Sequence, residues 1–341
     1  MLDAGEGNDY LENQQTRRAS VARHALSRRV FLFVRGAAVR YTKPALTLDE
    51  QVEKLLKRGM LGDKDEMRRR LEVVSYYRLS GYWYHRKQPD DNFVPGTTFE
   101  VVWEKYSFDR KLRTLLMDAI ERIEVGLRTL FSYHHAHEHG PFGYALDPQS
   151  LPKLAEDKRI GLLQKIGVEV DRSKERFVSH FQMKYGDVHD DLPIWMSTEV
   201  MSLGCVLSLW QASSNKVKNA VASQFGVRHE VLRTWLWSLN EVRNICAHHG
   251  RLWNRDLGNK PTIPHPKHHP DWHSPVAIPN RRVFGVLTVC SHSLGRLAPT
   301  SQWRARVHTL LDEHPRVPIR NMGFPDNWLD SPLWKVAVAD V

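Results

Sequence analysis

Between Asp109 and His137 the apolar residues recur with the period of an α-helix: Leu112, Leu115, Leu116, Ala119, Ile120, Ile123, Leu127, Leu130 and Phe131. A helix over that span is about 40 Å long at 1.5 Å per residue, longer than a small domain is wide. The rest of the chain has to be arranged around it. The opposite positions carry Arg110, Lys111, Asp118, Glu121, Arg122 and Arg128. Glu124 and Arg128 stand four apart, close enough to pair along one face. Pro95-Gly96-Thr97-Thr98 reads as a turn before this helix, and Gly140-Pro141 closes it.

The flanking segments have the same character. Thr47 and Glu50 form a capping box that opens a helix with Leu48, Val52, Leu55 and Leu56 on one face, ended by Gly59. A second helix starts near Asp63 and carries Met67, Leu71 and Val74. It leads into a dense aromatic run, Tyr76 to Tyr84, that suits either core packing or stacking against bases. Further helices are predicted near 172–185, 194–212, 215–225 and 229–248, then from Arg281 to Leu297 and Gln302 to Leu311. Asn254 to Asn280, rich in Pro, His and Asn, reads as a long loop. The tail from Met322 to Trp334 reads as an extended segment held down by its aromatics. No strand-rich block and no internal repeat appears. The expected fold class is all-α, a helical bundle with extra helices and loop insertions.

Composition narrows function. The 341 residues carry a formal net charge of +10 and a pI near 9.5, which favours polyanionic partners through counterion release. Cys205, Cys246 and Cys290 fit neither a disulfide framework nor a Cys-rich zinc site, so a reducing cytoplasm is the expected compartment. No apolar run approaches the ~20 residues that span a bilayer, and Val30 to Val34 is far too short. The first 43 residues hold eight Lys/Arg against four Asp/Glu without amphipathic periodicity. Residues 1–42 therefore read as a basic leader, disordered or upstream of the true start, with Val39 an alternative initiator and an RNA-binding arm the competing reading. Residues 43–341 read as the folded domain.

The richest segment chemically is Leu239 to Asn254. Val231, Leu232, Trp235, Leu236, Leu239, Val242 and Cys246 form the buried stripe of its helix, leaving Arg243, Asn244 and His248 on or beside another face. Asn244 and His248 are four apart and so are neighbours. Arg243 and His248 are about 140° apart around an ideal helix, so they meet only through the long Arg side chain, distortion near Gly250, or a two-fold axis. An Arg and a His at a helix C-terminus can also do no more than complement its dipole.

R-N-x-x-x-H at a helix end, followed by H-x-R-L-W-N, resembles the motif of HEPN proteins as it occurs in the Abi family of abortive-infection proteins, the AbiD/AbiF-like group. Lys43 to Thr47 with Gln51, Tyr77 to Tyr82, Asp109 to Arg113 and Glu121 to Arg128 resemble that family too. So do Pro193-Ile194-Trp195 with Glu199 and Gly204, and Met322 to Pro325 with Trp328. The resemblance runs from about 43 to 334. It implies a HEPN-like helical bundle, a phage-defence role, and RNA cleavage without a metal that leaves 2′,3′-cyclic phosphate ends. It assigns His248 to proton transfer, Arg243 to the scissile phosphate and Asn244 to orientation. His249, Arg251, Arg128 and Arg78 are candidate RNA contacts. For Arg251 a plain surface charge, and for Arg128 a structural pair with Glu124, are the rival readings. The expected partners are RNA, including a small non-coding RNA, and a second copy of the chain, with no membrane. No cofactor or metal is expected: His134, His135, His137 and His139, and His265, His268, His269 and His273, lack the ligands that would complete a zinc site. The competing function is a non-catalytic protein of the same fold that binds a structured RNA or a protein.

Overall fold

The computed structural model describes residues 40–335. The basic leader, Val39 and the Val30–Val34 run therefore lie outside the described residues, apart from the leader's last three. The chain divides into two compact units, Met1–Thr47 and Leu48–Val341. Of the first, residues 40–47 are described and carry no helix.

The second unit is all-α. Among the described residues there are thirteen α-helices and no strand. They are α1 (Leu48–Lys57), α2 (Lys64–Val73), α3 (Tyr76–Trp83), α4 (Phe99–His139), α5 (Gly143–Leu146), α6 (Glu156–Arg172) and α7 (Arg176–Tyr185). Then come α8 (Ile194–Val200), α9 (Leu203–Ala212), α10 (Asn215–Gln224), α11 (His229–Ala247), α12 (Val283–Leu297) and α13 (Trp303–Asp312). Among the described residues no helix is long and apolar enough to cross a membrane.

α4 is the axis of the bundle. At 41 residues it touches α3, α8, α10, α11, α12 and α13. Leu112, Leu116, Ala119, Ile120, Ile123, Leu127 and Phe131 are all buried. The helix starts ten residues before the predicted Asp109, because the Thr98 hydroxyl accepts the Val101 N–H at 3.3 Å and caps it. Phe99, Val102 and Phe108 then continue the apolar face.

Two further boundaries differ from expectation. The predicted helix at 194–212 is broken into α8 and α9. The Glu169 carboxylate of α6 takes both the Ser202 N–H at 2.7 Å and its hydroxyl at 2.8 Å, a tertiary contact that restarts the chain as α9. The predicted helix at 172–185 begins only at Arg176 and is preceded by the unforeseen α6. Two glycines, Gly161 and Gly167, and a single buried apolar residue, Ile166, leave α6 almost without periodic signal. The 254–280 segment is loop apart from the turn Pro270–Trp272. It is pinned by Trp272, which stacks on Trp235 with ring centroids 5.2 Å apart. The tail packs down through Phe324, Trp328 and Trp334, and the Trp334 indole donates to the Thr288 hydroxyl at 3.1 Å.

One buried group on α4 makes the fold sensitive to acid. His135 is fully buried, and neither ring nitrogen has a partner. Burial pushes its pKa down to about 4; His139 adds to the fall and Asp147 opposes it. The unfolded chain holds this proton at the ordinary value of about 6.5, so between those values the unfolded state binds more protons and stability falls as pH falls. By pH 5 the loss from this one group is about 2 kcal/mol. His135→Leu, which removes two unpaired nitrogens, is expected to raise the thermal midpoint at pH 7. It is also expected to flatten the decline between pH 6.5 and 5. Equal pH slopes for the two chains would show that His135 is not the group responsible.

Candidate functional site

α11 owes its orientation to Leu232, Trp235, Leu236, Leu239, Val242 and Cys246, which are buried against the bundle. Its C-terminus is closed by a Schellman motif: the Gly250 N–H donates to the Ile245 carbonyl at 2.8 Å and the His249 N–H to the Cys246 carbonyl at 3.0 Å. The left-handed residue of that motif is His249, at φ 54°, where glycine is usual. Gly250 comes next, and a Cβ there would sit 3.2 Å from both the Ile245 side chain and its carbonyl oxygen. The strained backbone at His249 costs about 1 kcal/mol, and strain of this kind gathers at functional sites. His249→Gly is therefore expected to stabilise the fold by about that much, read as a higher denaturant midpoint. An unchanged or lower midpoint would mean that the imidazole earns its place through contacts.

His248, the cap residue, is exposed. With Asn244, Asn240, Trp237 and Arg255 it lines an open groove of about 540 Å³. The Glu241 carboxylate builds one wall of it by accepting the Gly258 and Asn259 N–H groups at 2.9 and 2.6 Å. The side chains of Arg243, Asn244, His248 and Arg255 make no hydrogen bond or ion pair among the described residues, which leaves their donors and acceptors free for a ligand. Arg255 is not signalled by the motif spacing; the loop delivers it to the groove. Arg243 does not line the groove. It is half-buried, beside the buried stripe rather than opposite it. The structure thus brings Asn244 and His248 into one groove, whose lining does not include Arg243.

The loop after α11 is held by buried chemistry. Asp109 of α4 is fully buried and accepts from the Tyr82 hydroxyl at 2.6 Å, the Arg113 guanidinium, the Leu252 N–H at 3.2 Å and the Trp253 N–H at 2.7 Å. Two arginines lace the loop to α3. Arg78 donates to the His249 carbonyl at 2.6 Å, and Arg251 donates to the Gly81 carbonyl. Both therefore position the motif's C-terminal turn. Arg78 is exposed and Arg251 half-buried. Arg128 lies elsewhere. It is buried in α4, where its guanidinium binds the Glu124 carboxylate and the Thr198 carbonyl of α8, so the ion pair is made and the group does not face solvent.

The aromatic run splits into two sets. Tyr82 and Trp83 are buried, whereas Tyr77 in α3 and Tyr84 just past its end are 89% and 75% exposed. Among the described residues no group of three His, Cys, Asp or Glu side chains is placed to hold a metal ion. His135 and His139 have ring centroids 5.0 Å apart, without a third ligand.

A family model described as Abi-like protein matches residues 69–254, from within α2 to the loop after α11. That span is more than half of the chain and contains α3, Asp109 and the whole Arg243–His248 segment. No curated protein and no solved structure matches.

Proposed function

The chain belongs to the Abi-like protein family, which implies a part in phage defence by abortive infection, and from that premise we propose that it is a HEPN-type endoribonuclease that cuts RNA at His248. The observation that carries this reading is the groove beside His248. It holds an exposed imidazole next to an amide and a guanidinium, none of them committed among the described residues. An imidazole can both accept and donate a proton. It can take the proton from a ribose 2′-hydroxyl as that oxygen attacks the adjacent phosphorus, or deliver one to the departing 5′-oxygen. The P–O5′ bond breaks as the P–O2′ bond forms, giving a 2′,3′-cyclic phosphate and a 5′-hydroxyl. Asn244, one turn before His248, orients the ring or the ribose. A guanidinium stabilises the charge added to the phosphate, from Arg255 in the same groove or from Arg243 of a second copy.

The test is incubation of the full chain with total cellular RNA, wild type beside His248→Ala, followed by mapping of the new ends. Cyclic phosphate ends that depend on His248 are expected. RNA that survives intact, or is cut equally by both chains, overturns the nuclease reading.

One observation favours a second reading, an RNA-binding protein of the same fold that does not cut. Arg243 is half-buried and does not line the groove that holds His248. On either reading the exposed Tyr77 and Tyr84 rings offer stacking faces to RNA bases. Tyr77→Ala and Tyr84→Ala are each expected to weaken single-stranded RNA binding by about 1–3 kcal/mol, the usual worth of one stacked base. Unchanged affinity in both would remove α3 from the RNA path.

A further inference from the structure

A second group of cations, outside the His248 groove, makes no ion pair among the described residues. Lys105 of α4 is 5% exposed, yet its ammonium has one hydrogen-bond partner, the His85 Nε2 at 3.3 Å. It also lies over the Trp253 indole, 5.3 Å from the ring centroid. His85, exposed at the end of α3, is 5.5 Å from the same indole, centroid to centroid. Arg86 donates only to the Thr97 hydroxyl, at 3.3 Å, and Arg251 to the Gly81 carbonyl. The carboxylates in this neighbourhood are already engaged: Glu104 by Arg316, and Asp109 by Tyr82, Arg113 and two backbone N–H groups.

An ammonium carries three donors, and a buried one with a single neutral acceptor is costly. Three cations near one imidazole, from the turn after α3, from α4 and from the loop after α11, are costlier still. Burial drives the His85 pKa down to about 4, with Lys105, Arg86 and Arg251 adding to the fall. A tetrahedral anion removes every part of this cost, since its oxygens face several donors at once. His85 is the exposed member of the cluster. The cluster adjoins the motif through Arg251 and Trp253, three and five residues past His248.

We propose that His85, Arg86, Lys105 and Arg251 form a phosphate-binding subsite that takes an RNA phosphodiester flanking the one held at His248. The assignment rests on the RNA reading above but not on cleavage. Its occupant supplies the missing acceptors of Lys105 and lets His85 protonate, so that the imidazole too becomes a donor.

The probes are inorganic phosphate and a short 2′-O-methyl oligoribonucleotide, which lacks the attacking hydroxyl and survives intact. The His85 pKa is followed by NMR on the full chain with ring-labelled histidine, the resonance being identified by its loss in His85→Gln. Saturating oligonucleotide is expected to raise that pKa by about one unit or more, since it brings a negative charge against the ring. Lys105→Met is expected to weaken oligonucleotide binding roughly ten- to a hundredfold, as loss of a charge-assisted hydrogen bond does. It should also flatten the slope of log affinity against log salt by about 0.7. Arg86→Gln, at a half-buried surface position, gives the same two readouts if Lys105→Met does not fold.

A His85 pKa indifferent to saturating oligonucleotide overturns the subsite, as does wild-type affinity in both variants. A response to inorganic phosphate but not to the oligonucleotide assigns the site to free phosphate and overturns its place on RNA. If His85 responds while end mapping finds no cleavage, the subsite stands and the nuclease reading falls. If cleavage depends on His248 but His85 is silent, the subsite falls alone.

Discussion

Mixing Arg243→Ala chains with His248→Ala chains is expected to restore RNA cleavage that neither variant shows alone. On the nuclease reading, each substitution by itself removes a group that acts on the reacting phosphate. The expected loss is on the order of 10²- to 10⁴-fold, the usual worth of one acid–base group or one charge-stabilising donor. Within one chain His248 lines the groove and the half-buried Arg243 does not. If the nuclease site is built across a two-fold axis, with Arg243 from one copy and His248 from the other, each mutant homodimer lacks one member in both sites. A mixed dimer has one site that lacks both and one that is intact. Random pairing makes half of the dimers mixed, so about one quarter of wild-type activity returns. Binding of the 2′-O-methyl oligonucleotide is expected to persist in His248→Ala, which separates chemistry from recognition. A mixture as inactive as its components would rule out the shared site and leave Arg255, in the same groove as His248, as the phosphate contact.

The axis of this fold was open to reading because α4 buries its apolar residues at regular intervals, and that regularity needs no partner to be seen. The start of α4 at Phe99 was hidden by the turn residues just before it, because the Thr98 cap looks like loop chemistry until the helix is known to follow. The break between α8 and α9 was hidden for a different reason. It is made by Glu169, more than thirty residues earlier on α6. The site divides in the same way. Asn244 and His248, one turn apart, were legible from helix geometry alone. The half-burial of Arg243 was not, because it depends on how wide a face of α11 the neighbouring helices cover. Asp109, His85 and Lys105 carry no local signal that joins them to the motif, and only the fold brings them to Leu252 and Trp253.

Asp109→Ala is expected to be the most destabilising single substitution at this site, by about 3–5 kcal/mol, the cost of leaving a buried charge without its partner. The carboxylate is fully buried, and the groups that bind it are themselves shielded: Arg113 is 6% exposed and Tyr82 is 1% exposed. Alanine leaves the guanidinium unpaired and orphans the Leu252 and Trp253 N–H groups, which have no alternative acceptor in place. For a chain of this size the midpoint should fall by roughly 4–8 °C. The double variant Asp109→Ala, Arg113→Met separates the charge from the rest. It removes both members of the pair, so it should be more stable than Asp109→Ala alone, even though it has lost one more native side chain. The function should follow the loop rather than the helix. Arg251 and Trp253 are held in place by backbone groups bonded to Asp109, so either variant that stays folded is expected to bind the 2′-O-methyl oligonucleotide more weakly, while α4 remains intact by circular dichroism. A thermal midpoint for Asp109→Ala within a degree or two of wild type would mean that water or a shifted side chain replaces the carboxylate at no cost. In that case the placement of the loop after His248 must depend on the Arg78 and Arg251 links to α3 instead.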